Sequence, residues 1–140
     1  MLFNKIEIDT VYSEVIDMMN TAGLENVFDA LQISKPVIYF FVSDDELLEV
    51  NIDVLNHDYY TDIITFDYSD DKDIEQHEIL ISWDRIKENA TTHLQTKHQE
   101  LHRVCIHGLL HLAGYDDETD EEKQKMRGLE THFLNLHCST

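Results

Sequence analysis

The chain has 140 residues, 42% hydrophobic and 28% charged, the length of one domain with enough apolar content for a sizeable core. One proline and four glycines exclude collagen-like and Pro/Gly-rich disordered classes, and two cysteines, Cys105 and Cys138, make no disulfide framework. With no run near the roughly 18 apolar residues of a membrane helix and no secretory pattern in MLFNKIEIDT, a soluble, cytoplasmic, single-domain protein without membrane association is expected over residues 1–140.

Leu2–Ile8 reads as a short, partly alternating strand. From Val11 to Leu31 the apolar residues keep helical spacing, with an interruption expected near Thr21–Gly23. Residues 36–42 (PVIYFFV) are dense in β-branched and aromatic side chains and predict a buried strand. Ser43-Asp44-Asp45-Glu46 is a capping box that opens a helix to about Asn56. Asp62–Tyr68 and Gln76–Ser82 predict two strands joined through the acidic turn Ser69–Asp73. Ser82 can cap a helix starting at Trp83, and strong helical character runs from Glu100 to Ala113, where Gly114 stops it. Thr119-Asp120-Glu121-Glu122 opens a last helix through Met126, Leu129, Phe133 and Leu134. Strands and helices mix without strict βαβ alternation, which predicts an α+β fold. The aromatic residues Tyr39, Phe40, Phe41, Phe66 and Trp83 are expected in the core rather than as base-stacking platforms.

The net charge of −19 is unevenly spread. Residues 1–80 hold 19 acids against Lys5, Lys35 and Lys72, whereas residues 81–106 hold four cations against three acids. Nonspecific nucleic-acid binding rests on lysine and arginine displacing counterions, so the chain as a whole should repel phosphate. No DNA binding is expected, and any RNA contact is expected to use the one stretch that is not acidic.

The strongest local pattern is residues 107–117, HGLLHLAGYDD. His107 and His111, four apart on a helix, place their rings one turn apart on the same face. Their apolar flanks imply burial, and buried imidazoles need partners; one divalent ion can serve both. Gly114 lets the chain turn back and brings Asp116 or Asp117 toward the same ion. Two histidines and an aspartate with an open fourth position is the arrangement of catalytic zinc. Zinc proteases place a glutamate directly after the first histidine as general base; here that position is Gly108, which cannot take a proton, so peptide hydrolysis by that route is not expected. The result is a zincin-like metal helix without protease chemistry.

The run ELHRVCIHGLLHLAGYDDETDEEKQKMRGLE (Glu100–Glu130) resembles the signature region of the YbeY family. Leu55-Asn56, Thr61–Asp67 (TDIITFD) and His77–Ser82 (HEILIS) match upstream in order, so the resemblance covers roughly residues 37–130. It implies a mixed sheet of about four strands with packed helices. It also implies a zinc-dependent, single-strand-specific endoribonuclease that processes the 3′ end of small-subunit rRNA and supports late ribosome maturation. The implied partners are precursor ribosomal RNA, the small ribosomal subunit and ribosomal proteins or assembly factors.

Two positions depart from the family pattern. The third ligand is usually a histidine where this chain has Asp117, whose offset makes it the expected ligand ahead of Asp116; Zn2+ is the expected ion, and an aspartate also suits harder divalent ions. The loop before Thr61-Asp62, LNHDYYTD, is shorter than usual and lacks the arginine thought to face the phosphodiester. Phosphoryl transfer needs cationic help, and the candidates are Arg85 and, foremost, Arg103, four residues before His107 on its helical face. The expected catalytic set is therefore His107, His111, Asp117 and Arg103, with His57 in the loop as a substrate-facing candidate. Asp62 is expected to orient a histidine or a water, or to form a turn, and Glu130 to anchor the last helix. The contrasting reading is a noncatalytic ribosome-assembly factor whose metal site is structural; a peptide hydrolase is weaker still because of Gly108.

Overall fold

The computed structural model describes residues 4–139. Its elements run β1 (Ile6–Thr10), α1 (Ser13–Met18), α2 (Thr21–Ala30), β2 (Val37–Val42), α3 (Asp44–Leu55), β3 (Ile63–Phe66), β4 (His77–Ser82), α4 (Trp83–Thr92), α5 (Lys97–Leu112) and α6 (Asp120–His137). The sheet order is β1-β2-β4-β3, with β1, β2 and β4 parallel and β3 antiparallel to β4. The expected α+β fold with a mixed four-stranded sheet is thus borne out.

Alternation along the two central strands decides where the core lies. Val37, Tyr39 and Phe41 of β2 are buried, in register with His77, Ile79 and Ile81 of β4. Helix α5 covers this face and is buried on most of its sides: Leu101, Val104, Cys105, Ile106, Leu109, Leu110 and Leu112 are buried, along with Glu100 and His102. It packs against α2, α4, α6 and β3, so it forms the centre of the molecule rather than a surface helix. Tyr39 buries its ring between these layers and satisfies its hydroxyl by donating to the Cys105 carbonyl at 2.9 Å. Phe40 and Phe66 are only half-buried, on the less covered sheet face. Among the described residues no helix is long and apolar enough to cross a membrane.

Several boundaries differ from those expected. The break between the first two helices falls at Met19–Asn20, because the Asn20 side chain caps α2 by accepting from the Gly23 N–H at 2.9 Å. Gly23 lies inside α2, where a Cβ would come within 2.3 Å of the His137 carbonyl; it permits helix contact rather than ending a helix. Pairing of Ile6 with Val37 places β1 at Ile6–Thr10, later than the expected strand, whose Leu2 and Phe3 lie outside the described residues. Helix α5 starts at Lys97 rather than Glu100 because Thr96 and Gln99 form a capping box. Lys35 donates to the carbonyls of Tyr68, Asp71 (2.7 Å) and Ile74 (2.9 Å), folding the acidic turn around one ammonium group and shortening β3 to Ile63–Phe66. The capping boxes at Ser43 and Thr119 and the Ser82 cap form as expected.

Candidate metal centre

The last two turns of α5 present His107 and His111 toward the returning chain. Gly114, at φ 99°, supplies the left-handed residue that ends the helix, and the Tyr115 N–H closes the turn on the Leu110 carbonyl at 3.0 Å. The return places Asp117 Oδ2 3.4 Å from His107 Nε2 and 3.5 Å from His111 Nε2, with the two Nε2 atoms 3.0 Å apart. Asp116 is exposed and lies outside this group. Three donor atoms spaced in this way match the edges of roughly 3.3 Å expected of tetrahedral ligands held at roughly 2.0–2.1 Å from zinc. The group can therefore hold a metal ion.

A carboxylate missed in this role stands behind His107. Glu130, on α6 and 8% exposed, accepts from His107 Nδ1–H at 2.7 Å. An ionised carboxylate only accepts, so the proton sits on Nδ1 and the Nε2 lone pair points toward His111 and Asp117. The other Glu130 oxygen accepts from Arg103 at 3.2 Å, and Arg103 also donates to Thr131 Oγ1 at 3.2 Å. Burial disfavours a charged His107, but the Glu130 hydrogen bond and charge, with Asp117 and Asp62 adding, outweigh it and raise the pKa. That imidazole is electrostatically prepared for positive charge. The sequence signal for Glu130 was only its match in the family run; what it touches depends on the α5–α6 packing.

Gly108 is explained by packing. A Cβ there would meet Ile79 Cδ1 at 2.8 Å and Ile63 Cδ1 at 3.2 Å, so the position faces the sheet and the helix needs glycine to sit this close. A glutamate at 108 would be driven into the core instead of toward the histidines.

The largest cleft beside the group, about 560 Å³, runs between α5 and the edge strand β3, and includes His57, Tyr59, Thr61, Asp62, His107 and Asp117 in its walls. Asn51 is buried and donates to the Tyr59 carbonyl at 2.9 Å, which fastens the loop over this cleft. His57 and Tyr59 stack with ring centroids 5.1 Å apart at its mouth. A second cleft of about 340 Å³ lies across His107, with Asp62, Glu100, Arg103, Arg127 and Glu130 around it. Asp62 reaches both; burial, opposed by the charge of His107, raises its pKa. Glu100 behaves alike, raised by burial against the pull of His93 and Arg103. Arg85 is committed elsewhere, to Asp44 at 2.9 Å and Glu88 at 2.8 Å.

Fold and site together define an α+β protein with a His-His-Asp group, capable of holding a metal, at the end of its central helix. The family Endoribonuclease YbeY matches residues 3–137. A Cytophaga hutchinsonii protein named Endoribonuclease YbeY is 46% identical over 124 residues, covering 89% of this chain and 84% of its own length. Its namesake from Phocaeicola vulgatus is 47% identical over 100 residues, 71% of this chain and 72% of that protein. The solution structure of TM1509 from Thermotoga maritima superposes with a TM-score of 0.63 at 27% identity, covering 94% of this chain and 90% of that one. The chain belongs to the YbeY family of endoribonucleases, which bears out the resemblance read from Glu100–Glu130 and the expectation of an endoribonuclease.

Proposed function

We propose that this chain is a zinc-dependent, single-strand-specific endoribonuclease of the cytoplasm. In this reading it processes the 3′ end of small-subunit rRNA, with the small ribosomal subunit and its proteins or assembly factors as partners. The observation that carries the reading is the convergence of His107 Nε2, His111 Nε2 and Asp117 Oδ2 in a member of an endoribonuclease family.

His107, His111 and Asp117 would hold the ion; two imidazoles and a carboxylate are a zinc-type donor set that leaves a position open. A divalent ion there supplies Lewis-acid polarisation of a phosphoryl oxygen and a more acidic water. The rest falls to the chain. Glu130 keeps the His107 proton on Nδ1, and Arg103 fixes Glu130 from its other oxygen, so both act by positioning the ligand. Asp62, beside His107 in both clefts, takes a proton from the attacking water as its oxygen bonds to phosphorus, and solvent protonates the ribose oxygen that leaves. The exposed His57–Tyr59 stack receives an unpaired base. Splayed single-stranded RNA can follow the cleft along β3, whereas a stacked duplex cannot enter it.

The test is cleavage of a single-stranded rRNA 3′-end fragment and of the same fragment annealed to its complement. Metal-replete protein is expected to cut only the single strand, and to lose this on chelation or in His111→Ala. Metal-replete protein that cuts neither, or a His111→Ala variant that cuts as well as wild type, would overturn the proposal. If processing and ribosome association also persisted in a destabilised His107→Ala variant, the metal would be structural, as in an assembly factor.

A further inference from the structure

An RNA-cutting enzyme with a net charge of −19 must meet its substrate through few cations, and their whereabouts can be followed one by one. Lys5 pairs with Asp29, Lys97 with Glu14, and Lys35 is enclosed by three carbonyls. Arg85 is held by Asp44 and Glu88, Lys87 lies near Asp84 and over the Trp83 ring, and Lys125 lies over the Tyr115 ring. Arg103 is fixed between Glu130 and Thr131. Among the described residues this leaves Lys72, Lys123 and Arg127 without a side-chain partner. Lys72 belongs to the acidic turn at Ser69–Asp73.

Lys123 and Arg127 differ from Lys72 in where they stand. They are four residues apart on α6, hence on one face of it, and both line a cleft of about 330 Å³ whose other walls include His107, Asp117 and Glu130. Arg127 also borders the cleft across His107 that holds Asp62 and Arg103. The pair therefore flanks the His-His-Asp group from α6, while the cleft along β3 flanks it from the sheet. Two unpaired cations held on a capped helix beside a metal group suit the phosphates of a nucleic-acid backbone, arginine by bidentate hydrogen bonds and lysine as a point charge.

We propose that Lys123 and Arg127 form a phosphate-binding wall that holds the RNA backbone next to the scissile linkage, supplying from α6 the cationic contact absent from the loop before Thr61. The proposal rests on the endoribonuclease reading and extends it to the direction of the strand: RNA enters along β3, crosses the His107–His111–Asp117 group and leaves over α6.

The experiment measures salt-dependent binding of metal-replete protein to a short fluorescent single-stranded RNA made uncleavable by 2′-O-methyl and phosphorothioate substitution. The proteins are wild type, Arg127→Gln, Lys123→Gln, the double variant, Arg127→Lys and, as a control, Lys72→Gln. Each neutralised cation is expected to weaken binding about three- to tenfold and to reduce the log–log salt slope by about 0.7, the value for a single-strand phosphate contact. Arg127→Lys should recover the slope, Lys72→Gln should match wild type, and thermal unfolding should be unchanged because both side chains lie on an exposed helix face. A double variant with wild-type affinity and slope, while wild type binds and cuts RNA, would overturn this proposal alone. A wild type that neither binds the uncleavable RNA nor cuts a cleavable one would overturn the endoribonuclease reading and this proposal with it.

Discussion

Helix α5 carries the spacing His-x3-His twice, and the two pairs have opposite fates. At its start, His98 and His102 lie with ring centroids 4.1 Å apart. His102 Nε2 accepts from the Asn20 N–H at 2.9 Å, its Nδ1–H donates to the His98 carbonyl at 2.7 Å, and His98 Nε2–H donates to the Cys138 carbonyl at 2.9 Å. Backbone groups satisfy this pair, and burial pushes the His102 pKa down to about 4, so it stays neutral. One helix segment later, His107 and His111 face carboxylates instead, Glu130 and Asp117. Spacing puts two imidazoles on one face; what the fold brings opposite them decides whether they staple three segments of chain or form a group that can hold a cation.

The comparison breaks most sharply under alanine. His111→Ala is expected to abolish metal retention and lower RNA cleavage by at least about a hundredfold, with little change in fold, as read by metal analysis and a gel assay. Glu130→Gln should keep the metal but weaken it by about 10- to 100-fold in a chelator competition, because His107 loses the partner that fixes its tautomer.

The pair at the start of the helix answers to pH. His102 takes up a proton near its ordinary 6.5 in the unfolded chain but only near 4 when folded, so the unfolded state binds more protons between those values. Stability contributed by its burial is present above about pH 6.5 and is lost as the pH falls toward 4. Its full extent is about 3 kcal/mol. Urea midpoints of wild type and His102→Gln should therefore converge as the pH is lowered. A smaller effect is expected at Gly108→Ala, about 1–3 kcal/mol of overpacking against Ile79 and Ile63, seen as a lowered Tm with metal content unchanged.

Much of this was legible in the sequence because it is local. Capping boxes at Ser43 and Thr119, the glycine stop at Gly114 and the β-branched and aromatic density of PVIYFFV each depend on neighbours a few residues away. The grouping of His107, His111 and Asp117 was legible for the same reason, as a helix, a glycine turn and a short return fix it. Glu130 is 23 residues from His107, and its role depends on how α6 lies against α5. The bonds that pin Arg103 and Arg85 likewise depend on packing, so exclusion of Arg85 and the freedom of Lys123 and Arg127 emerge only in three dimensions. Gly108 read as a lost general base; in the fold it is the contact that lets α5 lie against β3 and β4.

The most direct measurement is the metal content of protein purified without chelator, for wild type, His107→Ala and His102→Gln side by side. About one zinc per chain is expected in wild type and His102→Gln, and none in His107→Ala. Metal absent from wild type, or lost equally from both variants, would contradict the assignment of two different roles to the two histidine pairs of α5.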